Sequence, residues 1–156
     1  MEDLPLVDSV VVPFGGGGLS TGIASAVHMM NERVEVYACE PETAAPLAAS
    51  FAAGSPQEIN RIPSFVDGAG GKSVLPEMWN LAKSLLQGSI VVSLRETASA
   101  LKLLVERNRI VAEGAGAMPV AAALTVKTKS DTTVCVVSGG NIDSSVLTKI
   151  LKGETP

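Results

Sequence analysis

Apolar runs and polar breaks alternate along this chain with two different periods. Ser9 to Phe14 is a continuous, mostly β-branched apolar run and Val34 to Cys39 is a second, while Thr21 to Met30 between them carries its apolar residues at helical intervals. Strand, turn, helix, strand is the order of a βαβ unit. Ala44 to Ala53 reads as a helix opened by Pro41-Glu42-Thr43 and closed by Gly54. Ser55 to Lys72 shows no clear period, and its Pro and Gly residues predict loop around a short strand at Ile62 to Val66. Val74 to Leu86 sets Leu75, Met78, Leu81, Ala82 and Leu85 on one helical stripe that ends at Gly88, and Ile90 to Val92 is a short strand. Ser93 with Glu96 is a capping-box signature, starting a helix through Leu101, Leu104 and Val105 to about Asn108. A helix over Val120 to Val126, a strand over Thr132 to Val137 and a terminal helix over Ile142 to Leu151 complete the order.

This alternation predicts an α/β fold: residues 1–156 as a single domain, doubly wound, with a mostly parallel sheet and helices on both faces. Composition agrees, because 46% hydrophobic content with only three Phe, one Tyr and one Trp leaves Val, Ile, Leu and Ala to build the core. Ligands of such sheets sit beyond the carboxyl ends of the strands. Twelve Lys and Arg against sixteen Asp and Glu give a net charge of -4, so no positive field is present to gather nucleic acid or anionic lipid. Cys39 and Cys135 are too few for a disulfide framework, and each lies in an apolar run, where a buried free thiol is expected. The opening MEDLPLVD lacks the basic and apolar regions of an export signal, and no stretch approaches the ~20 apolar residues of a membrane span. The expectation is a soluble, unexported, cytoplasmic protein.

Candidate chemistry gathers at the breaks. Gly15-Gly16-Gly17-Gly18 follows a strand and precedes a helix that opens Leu19-Ser20-Thr21. Four residues without Cβ let successive N–H groups turn inward as an anion nest, and the helix dipole adds positive potential there. A phosphate suits that place; the alternative, a flexible or tightly packed turn, leaves the ordering of four glycines uncompensated. No Gly-Lys-Ser/Thr follows, so this is not a Walker loop, and a dinucleotide G-x-G-x-x-G is met only by Gly15 and Gly17. Ser138-Gly139-Gly140-Asn141 ends the last strand, where a serine hydroxyl can donate to an unprotonated ring nitrogen and glycines admit a flat ligand; alone, it also reads as a Ser-capped turn. Glu113-Gly114-Ala115-Gly116-Ala117 is a small-residue run at a helix entrance and implies close packing. His28 has no second histidine to work with, which disfavours a triad hydrolase, and Trp79 reads as a core or interface anchor.

Taken in order, Val12-Pro13-Phe14-Gly15-Gly16-Gly17-Gly18-Leu19, Cys39-Glu40-Pro41, Val66-Asp67-Gly68, Ala112 to Ala117 and Ser138 to Asn141 resemble the fold-type-II pyridoxal-phosphate enzymes. Within them the set is most similar to the threonine and serine dehydratases and serine racemase. The resemblance implies part of a tryptophan-synthase-β-like fold, with pyridoxal 5'-phosphate as cofactor and a hydroxy amino acid as substrate. It implies that Gly15, Gly16, Gly17, Gly18 and Leu19 hold the 5'-phosphate, that Ser138 meets the pyridine nitrogen, and that Glu113, Gly139 and Asn141 lie near the ring. A hydroxyl partner keeps that nitrogen largely unprotonated, a moderate electron sink suited to β-elimination of water.

In several members a divalent cation is held by the carboxylate of the E-P turn, a carbonyl four residues on and an aspartate two further. Here those positions are Glu40, Ala44 and Pro46, and Pro46 has no side-chain oxygen, so the set is one ligand short; Glu40 reads equally as an exposed carboxylate beside a helix. The family's Schiff-base lysine, in a Ser-x-Lys motif, is absent: no Ser-x-Lys occurs, and Lys72, Lys83, Lys102, Lys127, Lys129, Lys149 and Lys152 stand in other contexts. No catalytic residue is therefore assigned, and the chain alone is expected not to turn over. It reads as the larger, cofactor-binding part of a dehydratase (ammonia-lyase) or racemase of amino acid metabolism, truncated of its N-terminal half and prone to associate with itself or with that half. The rival reading is a non-catalytic module that binds a phosphate ligand or a protein.

Overall fold

The structure, a computed structural model, describes residues 2–125 and 131–156; the predicted helix end at Val126 and the lysines Lys127 and Lys129 lie outside the described residues. Strands β1 (Ser9–Pro13), β2 (Glu35–Pro41), β3 (Gly88–Val92) and β4 (Thr133–Cys135) form a parallel sheet in the order β3-β2-β1-β4. The helices are α1 (Gly18–Met30), α2 (Pro46–Ala53), α3 (Pro76–Leu85), α4 (Leu94–Leu103), α5 (Gly114–Thr125) and α6 (Ser144–Leu151). α4 runs on into one π-helical segment, Leu104–Asn108.

Alternation along the strands divides the core. Val10, Val12, Val36 and Ala38 face Ala24 of α1, Leu47 of α2, and Trp79 and Ala82 of α3. Val11, Cys39 and Val92 face Leu101 of α4, Ala117 and Met118 of α5, and Ile150 of α6. Large side chains such as Phe14, Leu47, Leu101 and Met118 are wholly buried, each worth roughly 1.5–3 kcal/mol over leaving it in water. Helices on both faces of a parallel sheet are the doubly wound arrangement that the apolar pattern predicts.

Several boundaries move. α1 starts at Gly18, not Thr21, because the glycine turn itself enters the helix. α2 starts at Pro46, not Ala44, with proline at its first position, where no N–H is needed. α5 starts at Gly114 instead of Val120: Gly114 to Ala117 are buried against the sheet, so close packing overrides the weak propensity of Gly and the interior Pro119. The strand expected at Ile62 to Val66 does not form. Pro63 cannot donate to a ladder, and the pairing of this segment is one antiparallel bridge between Glu58 and Ser73.

α3 keeps its place and most of its face: Met78, Ala82 and Leu85 of the expected stripe pack on the core together with Trp79, while Leu75 and Leu81 are exposed. Trp79 meets Phe51 edge-on, with ring centroids 5.4 Å apart. The capping box on α4 is present in full, since Ser93 Oγ accepts from Glu96 N–H at 3.2 Å and Glu96 Oε2 accepts from Ser93 N–H at 2.7 Å. Cys39 is a buried thiol as expected, but Cys135 is only half-buried because β4 is a sheet edge. His28 places Nε2 3.2 Å from the Val34 carbonyl, tying α1 to the turn before β2. Among the described residues no helix is long and apolar enough to cross a membrane.

Candidate cofactor site

In the order β3-β2-β1-β4 the chain winds outward from β1 in both directions, so the loops after β1 and β4 part company at a topological switch point. Gly15 to Gly18 leave one of these strands and Ser138 to Asn141 the other. The ladder between β1 and β4 continues past Cys135, with Val136 N–H donating to Val11 O at 3.0 Å, so the two loops emerge side by side.

The glycine limb is built from beneath. Phe14 is buried, its N–H donates to Cys39 O at 2.9 Å, and its carbonyl accepts from Gly70 N–H at 3.1 Å. The Asp67 to Gly71 loop thus forms the floor under Gly15, whose Cβ, if present, would lie 3.5 Å from Gly68 O and Ala69 Cα. Gly17 caps α1 at φ +90°, and a Cβ there would collide with Met78 Cγ and stand 3.0 Å from Phe14 Cε2. Its carbonyl accepts from Thr21 N–H (3.0 Å), Thr21 Oγ1 (2.8 Å) and Ser20 Oγ (3.1 Å). The acceptor side of the turn is therefore satisfied inward. The donor side is open: no side chain caps α1, and the first-turn N–H groups of a helix have no internal acceptor. Gly16 and Gly18 face free space, with nothing within 4 Å of where a Cβ would stand. Leu19 follows on this turn and is exposed.

Glu113 holds the serine limb. Its N–H donates to Gly139 O at 2.9 Å, and its Oε2 accepts from Asn141 N–H at 3.2 Å. A Cβ on Gly139 would stand 2.7 Å from Glu113 Oε1, and one on Gly68 would stand 2.8 Å from the same atom. The side chain is thus wedged between the floor of the glycine limb and the serine limb, and fixes their spacing. Gly116 lets α5 approach, since its Cβ would lie 2.8 Å from Gly139 O. Ser138 is exposed, and its hydroxyl has no partner among the described residues. A cavity of about 270 Å³ opens beside Glu113 and Asn141, lined also by Phe65, Asp67 and Val146. It adjoins the crevice; the glycine turn and Ser138 themselves lie on open surface.

The sequence singles out both limbs and the wedge without their supports. Phe14 and Met78 are legible only as members of the glycine motif and of the α3 stripe respectively; their place behind Gly17 has no signal, and Gly70 at φ +74° under Phe14 has only the glycine-rich spacing of residues 68–71.

Glu40 departs from expectation. It is fully buried, and its oxygens accept from Leu47 N–H (2.9 Å), Ala48 N–H (2.8 Å) and Ser89 Oγ (2.7 Å). Burial pushes its carboxyl above the usual range, and these three donors pull the other way. The Ala44 carbonyl oxygen lies against Gly70, where a Cβ would be 2.7 Å from it, and Pro46 begins α2. These residues do not fit a cation: three of the roughly four acceptor sites of Glu40 are taken by donors, and among the described residues no group of three His, Cys, Asp or Glu could hold a metal.

The described lysines lie elsewhere. Lys83 stands over the Trp79 ring at 5.8 Å, Lys102 pairs with Glu106 at 2.7 Å, and Lys72, Lys149 and Lys152 are exposed.

A family model described as "pyridoxal-phosphate dependent enzyme" matches residues 1–139, nearly the whole chain. The chain belongs to that family. Among pyridoxal-phosphate-dependent enzymes it is 38% identical over 152 residues to the L-threonine ammonia-lyase of Thermotoga maritima, covering 97% of this chain and 38% of that one. It is 36% identical to the catabolic L-threonine dehydratase of Escherichia coli, covering 96% and 47%. Of solved structures, maize serine racemase superposes with a TM-score of 0.87 at 30% identity, covering 97% of this chain and 49% of that one. A processed form of threonine deaminase isoform 2 from Solanum lycopersicum superposes at 0.88 with 26% identity, covering 97% and 46%. The chain thus spans half or less of the length of these pyridoxal-phosphate-dependent relatives, as a partial domain of the fold they share.

Proposed function

We propose that this chain is the cofactor-holding α/β unit, the larger part, of a pyridoxal-phosphate enzyme acting on a hydroxy amino acid. The parent reaction is loss of water from serine or threonine to a 2-oxo acid and ammonia, or racemisation of serine. One observation carries the reading: two glycine-bearing loops leave adjacent parallel strands at the switch point, one offering helix N–H donors and the other a free hydroxyl. The cradle fits a phosphorylated flat ring, because Gly16 and Gly18 leave the space that side chains would fill.

When bound, the cofactor supplies an electron sink for the substrate carbanion. The first-turn N–H groups of α1, Gly16 and Gly18 hold the phosphate, Leu19 borders it, and the Ser138 hydroxyl donates to the ring nitrogen. Glu113 orients the Gly139–Asn141 backbone that carries Ser138. No residue of this sequence matches the Schiff-base lysine, so covalent attachment needs a lysine from polypeptide outside it. Support for a partner comes from an apolar groove between α1 and the β4 edge, lined by Leu4, Ile23, Val27, Met30, Val134 and Val136. We assign this groove to a missing N-terminal half or, without it, to a second copy.

Equilibrium binding tests the reading. Pyridoxal 5'-phosphate should bind at least ~10-fold more tightly than pyridoxal, since charge-assisted hydrogen bonds are worth roughly 1.5–3 kcal/mol. Equal affinity would remove the phosphate role. The purified chain should show neither the yellow absorbance of a lysine-bound cofactor nor 2-oxo acid release from serine or threonine. Both together would disprove the absence of a working lysine.

A further inference from the structure

Membership of the family raises the question of a divalent cation at Glu40, and the local structure answers it in another way. Glu40 ends in the corner where β2, α2 and β3 meet, and it is the one fully buried carboxylate among the described residues. A hard cation needs oxygen ligands with free lone pairs, six or more in roughly octahedral or larger shells. Here the protein presents donors. Leu47 and Ala48 are the first residues of α2 with N–H groups to give, because Pro46 ahead of them has none, and Ser89 on β3 supplies a hydroxyl at 2.7 Å. A cation on Glu40 would displace the buried Leu47 N–H, which has no intrahelical acceptor. Pro46 brings no side-chain oxygen, and the Ala44 carbonyl faces Gly70.

We infer that the amino end of α2 and the Ser89 hydroxyl hold Glu40 in place of a divalent cation, and that Pro46 is the residue closing this corner to metal. The corner is then fastened by protein groups alone: a negative charge on a helix amino terminus, joined to the neighbouring strand by one hydroxyl. The inference rests on the family reading for the cation's usual place, but not on cofactor binding, and it can fail while the phosphate test succeeds.

Thermal unfolding of the chain without cofactor provides the experiment, run in EDTA and in millimolar Mg2+, Ca2+ or Mn2+. A site filled at about 100-fold excess over its dissociation constant raises the midpoint by roughly 5–10 °C in a chain of this size. The wild-type midpoint should be the same in all four solutions, and Pro46→Asp should gain a cation-dependent rise that EDTA removes. A wild-type rise with any of the cations overturns the inference, and a folded but unresponsive Pro46→Asp overturns the part given to Pro46. Ser89→Ala covers the case in which Pro46→Asp does not fold. It should lower the midpoint equally with and without cation, whereas a loss that cation restores would show that metal, not the hydroxyl, completes the site.

Discussion

Gly16 and Gly17 are neighbours with opposite surroundings, and the contrast makes them separable by mutation. Gly17 is held at φ +90° with Met78 and Phe14 where a methyl would go. Gly17→Ala should cost at least about 1–2 kcal/mol from the left-handed backbone alone, read as a lower urea midpoint at unchanged slope. Gly16 faces open space, so Gly16→Ala should stay within about 0.5 kcal/mol of wild-type stability. Its methyl enters the cup, however, and should weaken pyridoxal 5'-phosphate binding while leaving pyridoxal binding unchanged; no effect on the phosphate ester would count against a phosphate at this turn. The four glycines are legible in the sequence as an unbroken run between a strand and a helix, although only Gly17 needs glycine for its own backbone. The task of Glu113 is not, because its contacts, Gly68 and Gly139, lie far apart in the chain and come together only when both loops are placed.

Among the elements, α4 owes its start to a local device that the sequence displays in full. Hydrogen bonds from the Ser93 backbone and side chain hold the Glu96 carboxyl below its ordinary value of 4.5. A carboxylate lowered in the folded state contributes stability above that value and loses it as pH falls through the lowered one. The stability difference between wild type and Glu96→Gln should therefore be present at neutral pH and vanish in acid, and Ser93→Ala should cost about 1 kcal/mol in denaturant melts. A pH-independent difference would show that Glu96 acts by packing. The box is readable because its partners are three residues apart. The start of α5 is not: Gly114 to Ala117 are helical because the sheet presses against them, and neither Gly nor an interior Pro119 announces a helix. The inward face of α3 is shifted from the apolar stripe for a related reason, since Trp79 joins Met78, Ala82 and Leu85 on the core and takes the space beside Phe51, leaving Leu75 and Leu81 outside.

Over the whole molecule, the doubly wound order follows from alternating runs, but the exposure of one sheet edge does not. β4 is half-buried throughout, beside the α1 groove. Light scattering should report self-association that a charged substitution such as Val134→Glu reduces; a monomer over a wide concentration range would argue that the groove needs no cover. Thiol reactivity gives a second view of the same edge. Burial pushes both thiols up, and for Cys39 the neighbouring Glu40 charge adds to it. Native chain should modify slowly at Cys135 and at Cys39 only on unfolding; Cys39 reacting first would place β2 at an edge instead.

The order β3-β2-β1-β4 also sets a timetable. Ser9 and Thr133 share a hydrogen bond at a separation of 124 residues, so the last strand docks on the first. A nascent chain has its glycine turn long before its serine loop is synthesised, and the closing of that long loop belongs among the slow steps of folding. On the proposed site the vitamin-derived ring would be held only once β4 has docked on β1, which ties its binding to the closing of that long loop.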